Sequence, residues 1–221
     1  MTAFELRERN TGQVVAMIEI KHKDSGETLF QAETFEGQKL DGAKWAGASL
    51  VELDLSGLRL SRADLHGADL TGAKLVGTDL QGAIMTNAVL DGADLTKADL
   101  TEVIGKYVMA RETTFDGATS RYATFEGADM TGSSWIGADA SMTDFRGNLN
   151  DVNFAKADIR GANFTGANLT GADLSDSNML DAKLAEAKMM RTKMNGSIGP
   201  TGKKYGERVA SKPTKPWWQF W

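Results

Sequence analysis

From Phe35 to Met194 most fifth positions hold a leucine, phenylalanine or methionine, and a small residue, usually alanine, stands two places earlier. The stretch from Ala63 to Gly82 reads ADLHG ADLTG AKLVG TDLQG. A period of five matches neither the 3.6-residue turn of an α-helix nor the two-residue alternation of a strand, so the backbone must turn a corner after every repeat. Four corners close a coil, and stacked coils make a solenoid in which each rung buries its apolar residues only against its neighbours. The predicted core includes Leu65, Leu70, Leu75, Leu80 and Leu95, and later Phe164, Leu169 and Leu174. Small residues such as Ala68, Ala93, Ala128 and Ala162 fill the narrow space between them. Gly105, Ala110 and Ser120 interrupt the series, and between Phe145 and Leu149 the register slips by one residue, which predicts a local bend or bulge.

Three segments follow: 1–34, 35–196 and 197–221. In the first, AFELRER, QVVAMIEIK and ETLFQAE alternate in polarity around Asn10-Thr11-Gly12 and Asp24-Ser25-Gly26, which predicts a three-stranded antiparallel meander. Its expected task is to cap the first coil, with a separate binding role as the alternative. Within the second, residues 101–114 lose the alanine and leucine positions while keeping the register. They read either as a degenerate coil with Val103 and Val108 inward or as a loop presenting Lys106, Tyr107 and Arg111. The third segment contains Pro200, Pro213 and Pro216, predicting irregular chain, and ends in Trp217, Trp218, Phe220 and Trp221. Those four aromatics are candidates to cover the open end of the last coil near Met189 and Met194. The alternatives are that they anchor a partner or a second copy, or that they enter a membrane surface with Lys212 and Lys215.

The repeat resembles that of the pentapeptide repeat family, commonly written A(D/N)LXX, over about three quarters of the chain. This resemblance implies an all-β fold: a right-handed, four-sided parallel β-helix preceded here by the meander. At 20 residues per coil the repeats give about eight coils, a rod of roughly 40 Å at ~4.8 Å per strand spacing. In some members, notably quinolone-resistance proteins, such a rod resembles duplex DNA and occupies the DNA-binding saddle of a type II topoisomerase.

Charge bears on that possibility. The net charge is −5, divided as −2, −7 and +4 over the three segments. An acidic rod with a basic tail favours a basic partner for the one and an acidic partner for the other. In a 20-residue coil, Lys39, Arg59, Asp79, Asp99, Thr119 and Asp139 share a face that begins basic and becomes acidic, and Asp79, Asp99 and Asp139 are its candidate acidic residues. The adjacent face, with Asp54, Lys74 and Asp94, is interrupted, and −7 is small beside the charge of DNA.

Catalytic chemistry is not visible. The two histidines, His22 and His66, stand beside no candidate nucleophile, and no P-loop, serine elbow or metal-ligand spacing occurs. Aspartates such as Asp64, Asp69 and Asp94 belong to the repeat itself. The chain has no cysteine, which excludes disulfides and thiolate metal sites. No cofactor is expected. With no long apolar run and no apolar leader, the expected location is cytoplasmic. The expected function is therefore a non-enzymatic scaffold that binds a protein partner through its rigid faces or aromatic end. DNA mimicry toward gyrase is the alternative, and tail-mediated membrane association is the third reading. A homodimer is expected if the tails join, and direct nucleic-acid binding is not expected.

Overall fold

A computed structural model describes residues 4–8 and 14–206. Strands β1 (Phe4–Glu8), β2 (Val14–Lys21) and β3 (Thr28–Ala32) form an antiparallel sheet in the order β1-β2-β3. Phe4 faces Ile18 across the first pair and Ile18 faces Ala32 across the second. The turn between β2 and β3 is closed locally: His22 Nδ1 accepts from the amides of Asp24 and Ser25, and Gly26 takes the positive φ of 71°. This meander docks on the first coil, where His22 bridges Ala48 antiparallel and the Ser49 amide donates to the Lys21 carbonyl. Phe30, Phe35 and Trp45 pack their rings together beneath that coil.

Beyond it the chain is a quadrilateral parallel β-helix. In each repeat the residue before the core position bridges its counterpart in the next coil, as in Lys44–Asp64, Ser49–Asp69, Asp54–Lys74 and Arg59–Asp79. These bridges build four columns, each of eight positions. At most corners the amide three residues after a core residue returns to that residue's carbonyl, as Ala63 does to Leu60 at 3.0 Å. The residue between them has a positive φ, the sign that the third position of a type II turn requires. Glycine fills many of these corners, and Tyr107 and Tyr122 are among the side chains forced into the same conformation.

Two inward positions per repeat make the core. Leu65, Leu70, Leu75, Leu80, Leu95, Phe164, Leu169 and Leu174 are fully buried, as are the small residues two places earlier, alanine in every case but Thr78. Each large aliphatic side chain removed from water in this way contributes about 1.5–3 kcal/mol. Where threonine replaces the inward alanine, its hydroxyl donates to a carbonyl of the coil below, from Thr78 to Leu55 and from Thr113 to Leu90. Later coils switch from leucine to aromatics. Phe115 stacks on Trp135 at 4.1 Å, Phe145 on Phe164 at 5.4 Å, and Phe154 meets both Phe145 and Phe164 edge-on.

Residues 101–114 are coil rather than loop. Ile104 and Met109 bridge Ile84 and Val89, and Val103 and Val108 point inward. Gly105 stands where a large residue is expected because the Phe125 ring fills the space, 2.7 Å from where a Cβ would lie. The slip is real as well. Bridges span 20 residues up to Thr124–Asp144, while Asp129–Asn148 and the next three span 19. Where 197–221 was expected to be irregular, Ser197 and Ile198 continue the last coil in the inward and bridging positions, and Ile198 pairs with Asn178. The chain then doubles back so that Lys204 bridges Ile198 antiparallel and the Tyr205 ring covers Gly199.

Candidate functional site: an apolar band across two faces

The outward side chains of the columns are the available functional surface, and most of their acidic members serve the turns. Asp69 Oδ1 accepts the amide of Thr71 at 3.1 Å, and Asp79, Asp94, Asp99 and Asp129 do the same two residues on. Thr71, which the repeat alone marks as a plain outward residue, also turns its hydroxyl onto Asp69 at 2.7 Å. The Asp54 carboxyl lies below its ordinary value chiefly because the Ser56 amide donates to it.

The structure brings Asp79, Asp99 and Asp139 into one column, running Arg59, Asp79, Asp99, Thr119, Asp139, Asp158. Sequence reasoning had stopped short of Asp158. Arginines compensate much of this acidity. Arg121 closes on Asp139 and Arg160 on Asp158, while Arg111 reaches Asp129 at 2.8 Å and Arg146 reaches Asp144 at 2.7 Å. Burial pushes the Asp129, Asp139 and Asp144 carboxyls up, but hydrogen bonds from Thr131 and Arg111, Arg121 and Ser141, and Arg146 outweigh it and hold all three below the ordinary value. Asp79 and Asp99 form no ion pair among the described residues. At the start of the column Arg59 pairs with Asp41 at 3.3 Å beside a shallow groove also lined by Ser61, Arg62 and Gln81.

A different feature emerges on the two faces to either side of the Tyr107 corner. One column reads Lys44, Asp64, Ile84, Ile104, Thr124, Asp144, and its neighbour reads Ser49, Asp69, Val89, Met109, Asp129, Asn148. In the same two coils, both columns exchange polar for apolar side chains. Ile84 is 39% exposed, Ile104 44%, Met109 36% and Tyr107 58%. Tyr107 is held against the coil above because Gly127 has no side chain, and a Cβ there would lie 2.5 Å from the ring. Beside the corner, Lys106 pairs with Glu126 at 2.9 Å and Arg146 reaches the same carboxylate at 3.3 Å. The result is an apolar band that wraps one corner of the rod and has a charged border. Writing the sequence in rows of 20 places Ile84 above Ile104 and Val89 above Met109; that signal was present and was applied only to the acidic positions.

His22 lies against Gly47 in the cap, and His66 sits at an exposed corner with its amide on Asp64. Among the described residues no group of histidine, aspartate and glutamate is arranged to hold a metal ion, and no helix is long and apolar enough to cross a membrane. Trp217, Trp218, Phe220 and Trp221 lie outside the described residues.

Five-residue repeats, four corners per coil and a two-residue inward pattern define a β-solenoid of the quadrilateral kind. The signature described as pentapeptide repeats matches residues 34–67, 63–102, 148–184 and 157–196. The chain belongs to the pentapeptide repeat family. The unmatched stretch between 102 and 148 contains the irregular and aromatic coils, which nevertheless continue the same columns. Among solved structures, a trypsin-treated form of QnrB1, a plasmid-mediated fluoroquinolone resistance protein, aligns at 21% identity with a TM-score of 0.51, covering 61% of this chain and 76% of that one. HetL, a pentapeptide repeat protein involved in heterocyst differentiation regulation from the cyanobacterium Nostoc sp. strain PCC 7120, aligns at 24% identity over 71% of this chain and 78% of its own, with a TM-score of 0.30. A pentapeptide repeat protein from the thylakoid lumen of Arabidopsis thaliana shares 32% identity over 50% of this chain and 70% of its own, with a TM-score of 0.29. No curated protein matches the chain.

Proposed function

We propose that this chain is a non-enzymatic, cytoplasmic scaffold that binds a protein partner through the apolar band formed by Ile84, Ile104, Val89, Met109 and Tyr107. The observation that carries this reading is the coincident loss of polar outward residues on two adjacent columns in the same two coils. Isolated exposed apolar residues are ordinary, whereas a contiguous patch with a charged border is the usual anatomy of a protein-binding surface. The rod holds the band rigid before binding, so docking costs little ordering entropy. The test is capture of cross-linked partners by the full chain and by an Ile104→Asp, Met109→Asp variant with unchanged circular dichroism. Partners held by the band disappear from the variant; equal recovery by both proteins overturns the reading.

Mimicry of DNA toward gyrase is a second reading, favoured by one observation: Asp79 and Asp99 stack on one face without a cation. The fold shared with a fluoroquinolone resistance protein is compatible with it. The arginine pairs further along the same column argue against it, because a DNA-like face needs uncompensated carboxylates over its length.

A further inference from the structure

The C-terminal end of the rod is finished on one side only. The four columns stop at Lys183, Lys188, Lys193 and Ile198. Ile198 is closed by the returning chain through its bridge to Lys204, with Gly196 donating to Tyr205 at 2.9 Å and Tyr205 to Ser197 at 2.8 Å. The other three faces have no covering strand among the described residues. One coil below, the amides of Phe164, Gly166, Leu169, Gly171 and Leu174 all donate upward into the last coil. Their counterparts, the amides of Leu184, Glu186, Met189, Arg191 and Met194, meet no acceptor among the described residues. Open carbonyls facing the same way are fewer, those of Ala182, Ala187 and Thr192. The edge is thus rich in donors, and beneath it Leu184, Met189 and Met194 are only partly buried.

Each open face also carries a lysine at its bridging position, while the closed face carries Ile198. Lys193 is 67% exposed although it touches Asp173 at 3.4 Å. An apolar mouth, an edge of free amides and three lysines coincide at one end. An occupant must supply acceptors, negative charge and apolar side chains together. A like end of a second copy would set lysine against lysine, and the chain beyond Gly206 is itself basic.

We propose that this end of the rod docks an acidic, extended segment of a partner protein. The segment adds as a strand along the open faces, accepts hydrogen bonds from the free amides, places carboxylates at Lys183, Lys188 and Lys193, and lays apolar side chains over Leu184, Met189 and Met194. This surface is separate from the apolar band, so it stands or falls on different residues.

The experiment measures binding of a labelled synthetic peptide of alternating aspartate and leucine to the full chain by fluorescence anisotropy. A peptide with lysine in place of aspartate is the control. The acidic peptide binds and the lysine peptide does not, and the affinity falls as salt rises. A Lys183→Glu, Lys188→Glu, Lys193→Glu variant loses at least tenfold in affinity, a Lys→Gln version of the same three loses less, and Ile104→Asp leaves binding unchanged. Amides of Leu184, Met189 and Met194 gain hydrogen-exchange protection on binding. Equal binding of both peptides, or an unaffected triple variant, overturns the proposal. So does a large gain in peptide affinity when the chain ends at Ser211, which would show the end occupied by its own tail. Dimers that dissociate in the triple variant, or binding of anionic phospholipid vesicles with no peptide binding, overturn it as well.

Discussion

Aspartate and asparagine exchange at one position of the repeat without altering its geometry. Asp69 accepts the amide of Thr71 at 3.1 Å, and Asn168 accepts that of Thr170 at 3.3 Å. What the corner needs is a short side-chain oxygen reaching the amide two residues on, and the charge is incidental to it. That the aspartates belong to the repeat was legible in the sequence; that the reason is an amide cap was not, because the partner is a backbone group. An Asp79→Asn, Asp99→Asn protein should therefore melt with the wild type, within about 0.5 kcal/mol, whereas alanine at both sites should cost about 1 kcal/mol at each turn. Thermal denaturation followed by circular dichroism separates the two. The asparagine variant also removes two charges without disturbing the fold, so it decides the mimicry reading. If that reading holds, inhibition of gyrase supercoiling by the purified chain is lost in the variant.

At the scale of the single coil, the period of five and the slip near Asn148 were both legible because each records where the inward residues fall. The means of absorbing the slip was not. Between Phe145 and Leu149 one residue is missing, so the chain cuts the corner closely enough that a Cβ on Gly147 would lie 2.4 Å from the Ala128 carbonyl oxygen and 3.0 Å from its nitrogen. Both obstacles are backbone and cannot rotate away. Gly147→Ala should destabilise the protein by roughly 1–3 kcal/mol, as overpacking does elsewhere. A midpoint equal to that of the wild type in urea would show that the short corner has slack. The arginine pairs were hidden for a related reason. Arg111 and Arg121 meet acids 18 residues later, a separation that has meaning only once the coil length and corner positions are known. The apolar band, by contrast, was legible in rows of 20, because Ile84 and Ile104 lie 20 residues apart and bridge each other.

Over the whole rod, stability is a sum over neighbouring coils, so the coils need not open together. Two sources of stability coincide between Phe115 and Phe164: a continuous stack of aromatic rings, and the carboxylates of Asp129, Asp139 and Asp144 held below their ordinary value of 3.8. Acid distinguishes them. A carboxyl whose folded-state pKa is depressed contributes stability that is present above its unfolded value and is lost as the pH falls through the folded one. These groups should therefore leave stability unchanged between pH 7 and about 5 and withdraw it below about 4. The rings do not titrate, and deleting one buried aromatic costs roughly 3–5 kcal/mol, while ion pairs as exposed as these contribute little. The aromatic stack should win. Hydrogen exchange should show residues 181–198, at the open end, exchanging first and residues 115–164 last, with the same order at pH 3 and pH 7 and a lower melting temperature at pH 3. Should the segment from Asp129 to Asp144 become the first to exchange in acid, its charges rather than its rings would be what holds the centre of the rod.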